Sequence, residues 1–138
     1  MKGEMAMTAI PENYHDLFQK KAFAHLATVM PDGSPQVTPV WCDFDGTHIR
    51  INSAAGRVKD RNMRRNNKVA LAIMDPDNAY RYLGVLGQVA GVTEGPEAET
   101  HIDALSRKYI DRDPYPWRRP GERRVMYRIR PDRVSGMG

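Results

Sequence analysis

The sequence predicts a mainly β domain with flanking helices: a six-stranded antiparallel barrel of Greek-key-like order, with about three helices packed outside it. Three observations carry this expectation. Six short apolar or alternating runs are separated by tight-turn signals, and successive hairpins make antiparallel neighbours. Helical spacing of apolar residues is confined to three places. A small antiparallel sheet escapes exposed edges by closing on itself.

The elements follow in order. Ile10, Tyr14, Leu17 and Phe18 share a helical face, so residues 11–22 are expected to form the first helix. "FAHLATVM" is a strand that stops at "PDGS", residues 31–34, a hairpin signal. "QVTPVWCDF" is the second strand and ends at a second turn, Asp45-Gly46. "THIRINSA" alternates Ile49 and Ile51 against polar neighbours. Residues 56–67 read as a short basic helix. "KVALAIMD" is a continuous apolar strand expected to be buried on both faces. "RYLGVLGQVAGVTEG" is a long strand in which Gly84, Gly87 and Gly91 suggest bends or close backbone approach. Residues 97–110 form the clearest helix, with Ala98, Ile102, Leu105 and Tyr109 at three- and four-residue spacing. A Pro-rich loop carrying Trp117 precedes the last strand, where Val125, Tyr127 and Ile129 share one face.

A chain of 138 residues is one domain, here residues 1–138 with 1–10 expected to be flexible. It is 41% hydrophobic and 28% charged, ordinary for a globular protein. No apolar run approaches the roughly 20 residues that span a bilayer. The first residues lack the apolar stretch of a signal peptide. Cys42 is the lone cysteine, so no internal disulfide forms. The expectation is a cytoplasmic protein with no membrane partner.

The charge is concentrated. Arg57, Lys59, Arg61, Arg64 and Arg65 crowd one short run opposed only by Asp60, while the rest of the chain balances; the net charge is +4. Arg57, Arg61 and Arg64 fall on one helical face, with Lys59 reaching from the first turn. Beside a helix start, guanidinium groups suit a phosphate or carboxylate, and Ser53 lies just upstream. A solvated helix face is the competing reading, although Arg57 and Arg61 at i, i+4 repel one another. "TPVW" has Pro39 inside a strand, which removes a ladder donor. That leaves backbone at Thr38 or Val40 for a flat ring, or merely marks a bulge or an edge. Tyr80, Arg81 and Tyr82 make either a stacking wall or ordinary strand-start residues. The four histidines show no metal-ligand spacing, no phosphate-binding glycine loop occurs, and no Ser- or Cys-centred nucleophile motif appears. No metal is expected and no catalytic residue is singled out. Nucleic acid is disfavoured as a partner because no aromatic residues interleave with the basic run.

In order, "LATVMPDGSPQVTPVWCDFDG", "IRINSAAGRVKDRNMRRNNKVALAIMDPDN", "YRYLGVLGQV" and "RPDRVSG" resemble the flavin- and deazaflavin-binding split β-barrel proteins, relatives of pyridoxamine 5′-phosphate oxidase. The resemblance covers about residues 11–136 and is strongest to the small branch that uses the 5-deazaflavin coenzyme F-420. It implies that Arg57, Lys59, Arg61 and Asn62, with Ser53, hold the cofactor's phosphate and acidic tail. It implies that Thr38, Pro39 and Val40 face the ring, and that Tyr80 and Arg81 reach a cofactor across a homodimer interface. The implied activity is hydride transfer to a conjugated, electron-poor small molecule. An FMN-binding oxidoreductase of the same fold and a non-catalytic flavin or deazaflavin carrier stand as alternatives. A vitamin B6 oxidase proper is longer and carries a substrate-phosphate motif not found here.

Overall fold

A computed structural model describes residues 8–138. The chain runs through a 3-10 helix (Glu12–Phe18), strands β1 (Ala24–Val29), β2 (Pro35–Val40), β3 (Cys42–Phe44) and β4 (Ile49–Ala54), and helix α1 (Val58–Arg65). It continues through β5 (Lys68–Asp75), β6 (Asn78–Glu94), helix α2 (Pro96–Ile110) and β7 (Arg124–Met137). All neighbours are antiparallel, in the order β2-β1-β5-β6-β7-β4-β3.

The mainly β architecture is as expected, with seven strands instead of six. The difference lies at Trp41. The run expected as one strand changes partners there: β2 pairs with β1 at one edge, and β3 pairs with β4 at the other. One residue joins the two edges, so the sheet has to curl until they meet. Pro39 accordingly sits on an edge strand, where its missing N–H leaves no gap in the ladder.

Turn chemistry sets both early hairpins. Gly33 takes φ +90 and its N–H donates to Met30 O at 2.9 Å. The Asp45 carboxylate accepts from the N–H groups of Thr47 and His48, at 2.9 and 2.7 Å. In β6, the backbone bulges at Leu86/Gly87. A Cβ on Gly87 would lie 2.4 Å from Arg130 O, so only glycine lets β7 approach there.

Leu26, Ile49, Ile51, Ile73, Leu83 and Ile129 fill the interior, closed at one end by Leu17 and Phe18 of the 3-10 helix. That helix is shorter and tighter than expected. Residues 1–7 lie outside the described residues. Thr8 is held, its N–H donating to Pro131 O at 2.8 Å, and Ile10 is buried, so 8–10 are anchored. β5 alternates, with Val69, Leu71 and Ile73 buried against the interior and Ala72 and Met74 exposed. The expectation that both its faces are buried is corrected, because none of the described residues covers the outer face. β7 does bury both sides: Tyr127 and Ile129 face inward, while Met126 is also buried. α2 starts at Pro96 with Glu97 and Glu99 in its first turn and ends with Arg107 and Lys108, complementing its dipole. Among the described residues no helix is long and apolar enough to cross a membrane.

Candidate functional site

The start of α1, the ends of β2 and β4, and the loop before β7 enclose a cleft of about 200 Å³. Gly56, at φ +90, turns the chain from β4 into α1. Asp60 then locks that turn. Its buried carboxylate accepts from Gly56 N at 2.9 Å, Arg64 Nε at 2.9 Å and the Tyr127 hydroxyl at 2.5 Å. Burial alone would raise the Asp60 pKa, but these donors outweigh it and the net shift is downward. No side chain caps the α1 start among the described residues, so its first N–H groups stay available.

One end of the cleft is cationic. Arg57, Lys59 and Arg124 line it together with Ser53 and Asn52. Arg57 lies 3.9 Å from Glu122 Oε1, and Arg124 donates to the same oxygen. Lys59 has no ion pair among the described residues. Burial, then Arg57 and Arg124, push its ammonium below the ordinary lysine range. Ser53 is 1% exposed and its hydroxyl lacks a hydrogen-bond partner. Such an orphan is rare in a folded protein and calls for a ligand or water.

Arg124 is 3% exposed and is held in place. Its Nε donates to Asn52 Oδ1 at 2.9 Å, and its guanidinium lies 5.1 Å from the Tyr115 ring centroid. Asn52 in turn donates to Ala98 O at 3.0 Å and contacts His101 Nδ1 at 3.1 Å. The other end of the cleft is aromatic, formed by Phe23, Trp41, Tyr115 and Trp117 over Ile102 and Leu105.

Of the residues picked out from sequence, Pro39, Val40, Ser53, Arg57 and Lys59 come together here. Five do not line the cleft. Thr38 sits in the edge strand with its hydroxyl buried and unpartnered. Arg61 turns back to Gly56 O. Asn62 is buried against β1, donating to Thr28 Oγ1 at 3.0 Å. Arg81 spends its guanidinium on Asp16 and Asp75, and Tyr80 is 80% exposed. The expected Arg57/Arg61/Arg64 face is also corrected. Arg64 pairs with Asp60 and Glu94, so the first turn, not that face, points at the cleft. Sequence reasoning missed Asn52 and Arg124, because nothing local marks one arginine among 21 basic residues as buried. Trp41 and Trp117 were visible as words without a role.

The geometry fits an elongated ligand with a flat part and an anionic part. Among solved structures, an F-420 reductase is 37% identical, covering 91% of this chain and 98% of its own, with a TM-score of 0.78. A conserved hypothetical protein of Mycobacterium tuberculosis shares the fold at 23% identity, 99% and 89% coverage and a TM-score of 0.74. The HupZ protein of Group A Streptococcus shares it at 15% identity, 92% and 93% coverage and 0.65. No curated protein matches the chain. The family profile described as pyridoxamine 5′-phosphate oxidase matches residues 10–138, from the buried Ile10 through every strand around the cleft, and the chain belongs to that family.

Proposed function

We propose that this chain binds the deazaflavin coenzyme F-420 in the cleft and serves as an oxidoreductase that passes a hydride to a conjugated, electron-poor small molecule. The observation that carries the reading is one cleft with a cationic end, an orphan hydroxyl and an aromatic wall. Its 37% identity to an F-420 reductase supports the deazaflavin over FMN. The bound cofactor supplies the hydride chemistry. The chain's own residues bind and orient. Arg57, Lys59 and the open α1 start hold anionic oxygens. The Ser53 hydroxyl donates to a polar atom of the ligand. Pro39 and Val40 offer the β2 edge to a ring, and the aromatic wall keeps water from the reacting face. Arg61 and Arg65, exposed farther along α1, suit an acidic tail longer than the single phosphate of FMN. We further propose a homodimer, with the cleft bordering the interface.

The test is a fluorescence titration of both cofactors at fixed salt. The deazaflavin binds more tightly, and its affinity falls with added salt; tighter FMN binding overturns the cofactor assignment. Mixing protein with reduced deazaflavin and conjugated acceptors then restores oxidised absorbance. If binding is intact but oxidation does not exceed a protein-free control, the chain is a carrier.

A further inference from the structure

The loop between α2 and β7 builds half of the aromatic wall, and one side chain fastens it. Trp41 and Trp117 are the chain's only two tryptophans, and both line the cleft. Trp41 is fixed from behind. It stacks on Tyr109 at 5.2 Å and 10°, and the Tyr109 hydroxyl donates to Ala22 O at 2.6 Å. Tyr115 stands edge-on to Trp41 at 6.0 Å and to Trp117 at 5.8 Å. Trp117 is 57% exposed, a large ring that the fold leaves uncovered beside the cleft.

Arg118, next to Trp117, ties this loop to α2. Its Nε donates to Glu99 Oε1 at 3.0 Å and its Nη1 to Asp103 Oδ1 at 2.8 Å. Its Nη2 donates to Glu99 O at 3.0 Å. Asp103 Oδ1 also accepts the Tyr115 N–H at 2.8 Å, and Glu99 Oε2 accepts the Arg124 N–H at 3.1 Å. Two carboxylates of α2 thus clasp the loop from Tyr115 to the start of β7. A planar guanidinium fork makes this clasp directional in a way that a lysine would not.

Resting on the reading of the cleft as a cofactor-and-acceptor site, we propose that Arg118 is a positioning residue. By clasping the loop to Glu99 and Asp103 it sets Tyr115 and Trp117 against Trp41, and so selects planar aromatic or quinonoid acceptors over compact aliphatic enones. Flat rings gain from stacking and edge contacts with such a wall, whereas a small puckered enone meets it poorly.

Because both tryptophans lie in the cleft, their fluorescence reports it directly. Intact protein is titrated with 1,4-naphthoquinone, with and without deazaflavin, and with cyclohexenone as competitor. The expected result is saturable quenching, with naphthoquinone favoured by about tenfold or more, the gain of one or two aromatic contacts. With deazaflavin held at saturation for each protein, Arg118→Ala loses most of that preference; Arg118→Lys restores little of it. Trp117→Phe keeps the preference, and Trp117→Ala, which removes an exposed ring and no core contact, loses it even if Arg118→Ala fails to fold. Unsaturable quenching with and without cofactor, no planar preference in the wild type, or a preference that survives Trp117→Ala or a folded Arg118→Ala overturns the inference. Deazaflavin that fails to bind while the naphthoquinone preference persists sinks the proposed cofactor alone.

Discussion

Ser53 and Lys59 separate a binding site from a solvated face, because the described residues leave both unsatisfied. A hydroxyl that holds the fold together costs stability when removed, whereas an orphan costs nothing or less than nothing. Ser53→Ala is therefore expected to leave the melting temperature unchanged or raised while weakening cofactor binding; a clear loss of thermal stability with unchanged affinity would make the hydroxyl structural. Lys59→Ala should cost about 1.5–3 kcal/mol of cofactor affinity, the range for a charge-assisted hydrogen bond, without unfolding the chain. The sign of its pH dependence follows from the lowered ammonium pKa, caused by burial and then by Arg57 and Arg124. The protonated form meets the anion, so affinity holds below that lowered pKa and falls as pH rises through it. Lys59→Arg, which stays protonated, should flatten the alkaline fall. Affinity measured across the alkaline range decides; an identical fall in both proteins removes Lys59 from the contact.

At the scale of elements, β3 has three residues and needs ties beyond its ladder. Asp43 supplies them. It accepts from Arg50 Nε of β4 at 2.8 Å and lies 3.2 Å from His101 Nε2 of α2. Burial alone would raise its carboxyl, but the hydrogen bonds from His101 and Arg50 outweigh burial and hold it at about 2. The folded state therefore binds this proton more weakly than the unfolded chain, whose ordinary value is about 3.9. The stabilisation is complete above roughly pH 4 and is lost as pH falls toward about 2. Asp43→Asn should lower stability at neutral pH and flatten the acid limb between those values. Denaturant unfolding at stepped pH checks this, and parallel acid limbs would exclude Asp43 as the titrating group. These residues are linked to the cleft through Asn52, since His101 contacts Asn52 and Asn52 holds Arg124.

At the scale of the whole molecule, the described residues leave the outer face of β5 and the first half of β6 exposed. Met74 pairs with Tyr82, Ala72 with Gly84 and Ala70 with Leu86 across β5 and β6. Met74, Tyr82 and Leu86 are all exposed. His25 of β1 links Ala72 to Pro39, which lines the cleft. An apolar face that continues to the cleft suits a second copy of this chain. Leu86→Glu is expected to convert a homodimer to monomer by light scattering and to weaken cofactor binding together with it. A wild-type monomer at micromolar concentration with cofactor bound would rule out a shared groove. Tyr80, which stands well clear of its own chain, is then free to meet the groove across the interface, while Arg81 stays with Asp16 and Asp75.

The sequence by itself determined the order of elements, the turns at residues 31–34 and Asp45-Gly46, helix α2 and the concentration of charge. These rest on periodicity and turn chemistry, which act over a few residues. It also marked Ser53, Arg57, Lys59, Pro39 and Val40, which meet in one cleft. The tertiary structure alone decided the rest. The break at Trp41 depends on which distant strands, β1 and β4, accept the two halves of one apolar run. Arg64 leaves the ligand-facing set because Glu94, 30 residues away, joins Asp60, one turn back, in holding it. Arg124 joins the site because Asn52, 72 residues away, and the Tyr115 ring hold a guanidinium where it would otherwise seek water. The fate of a charge is set by partners that folding brings near, and local pattern carries no trace of them.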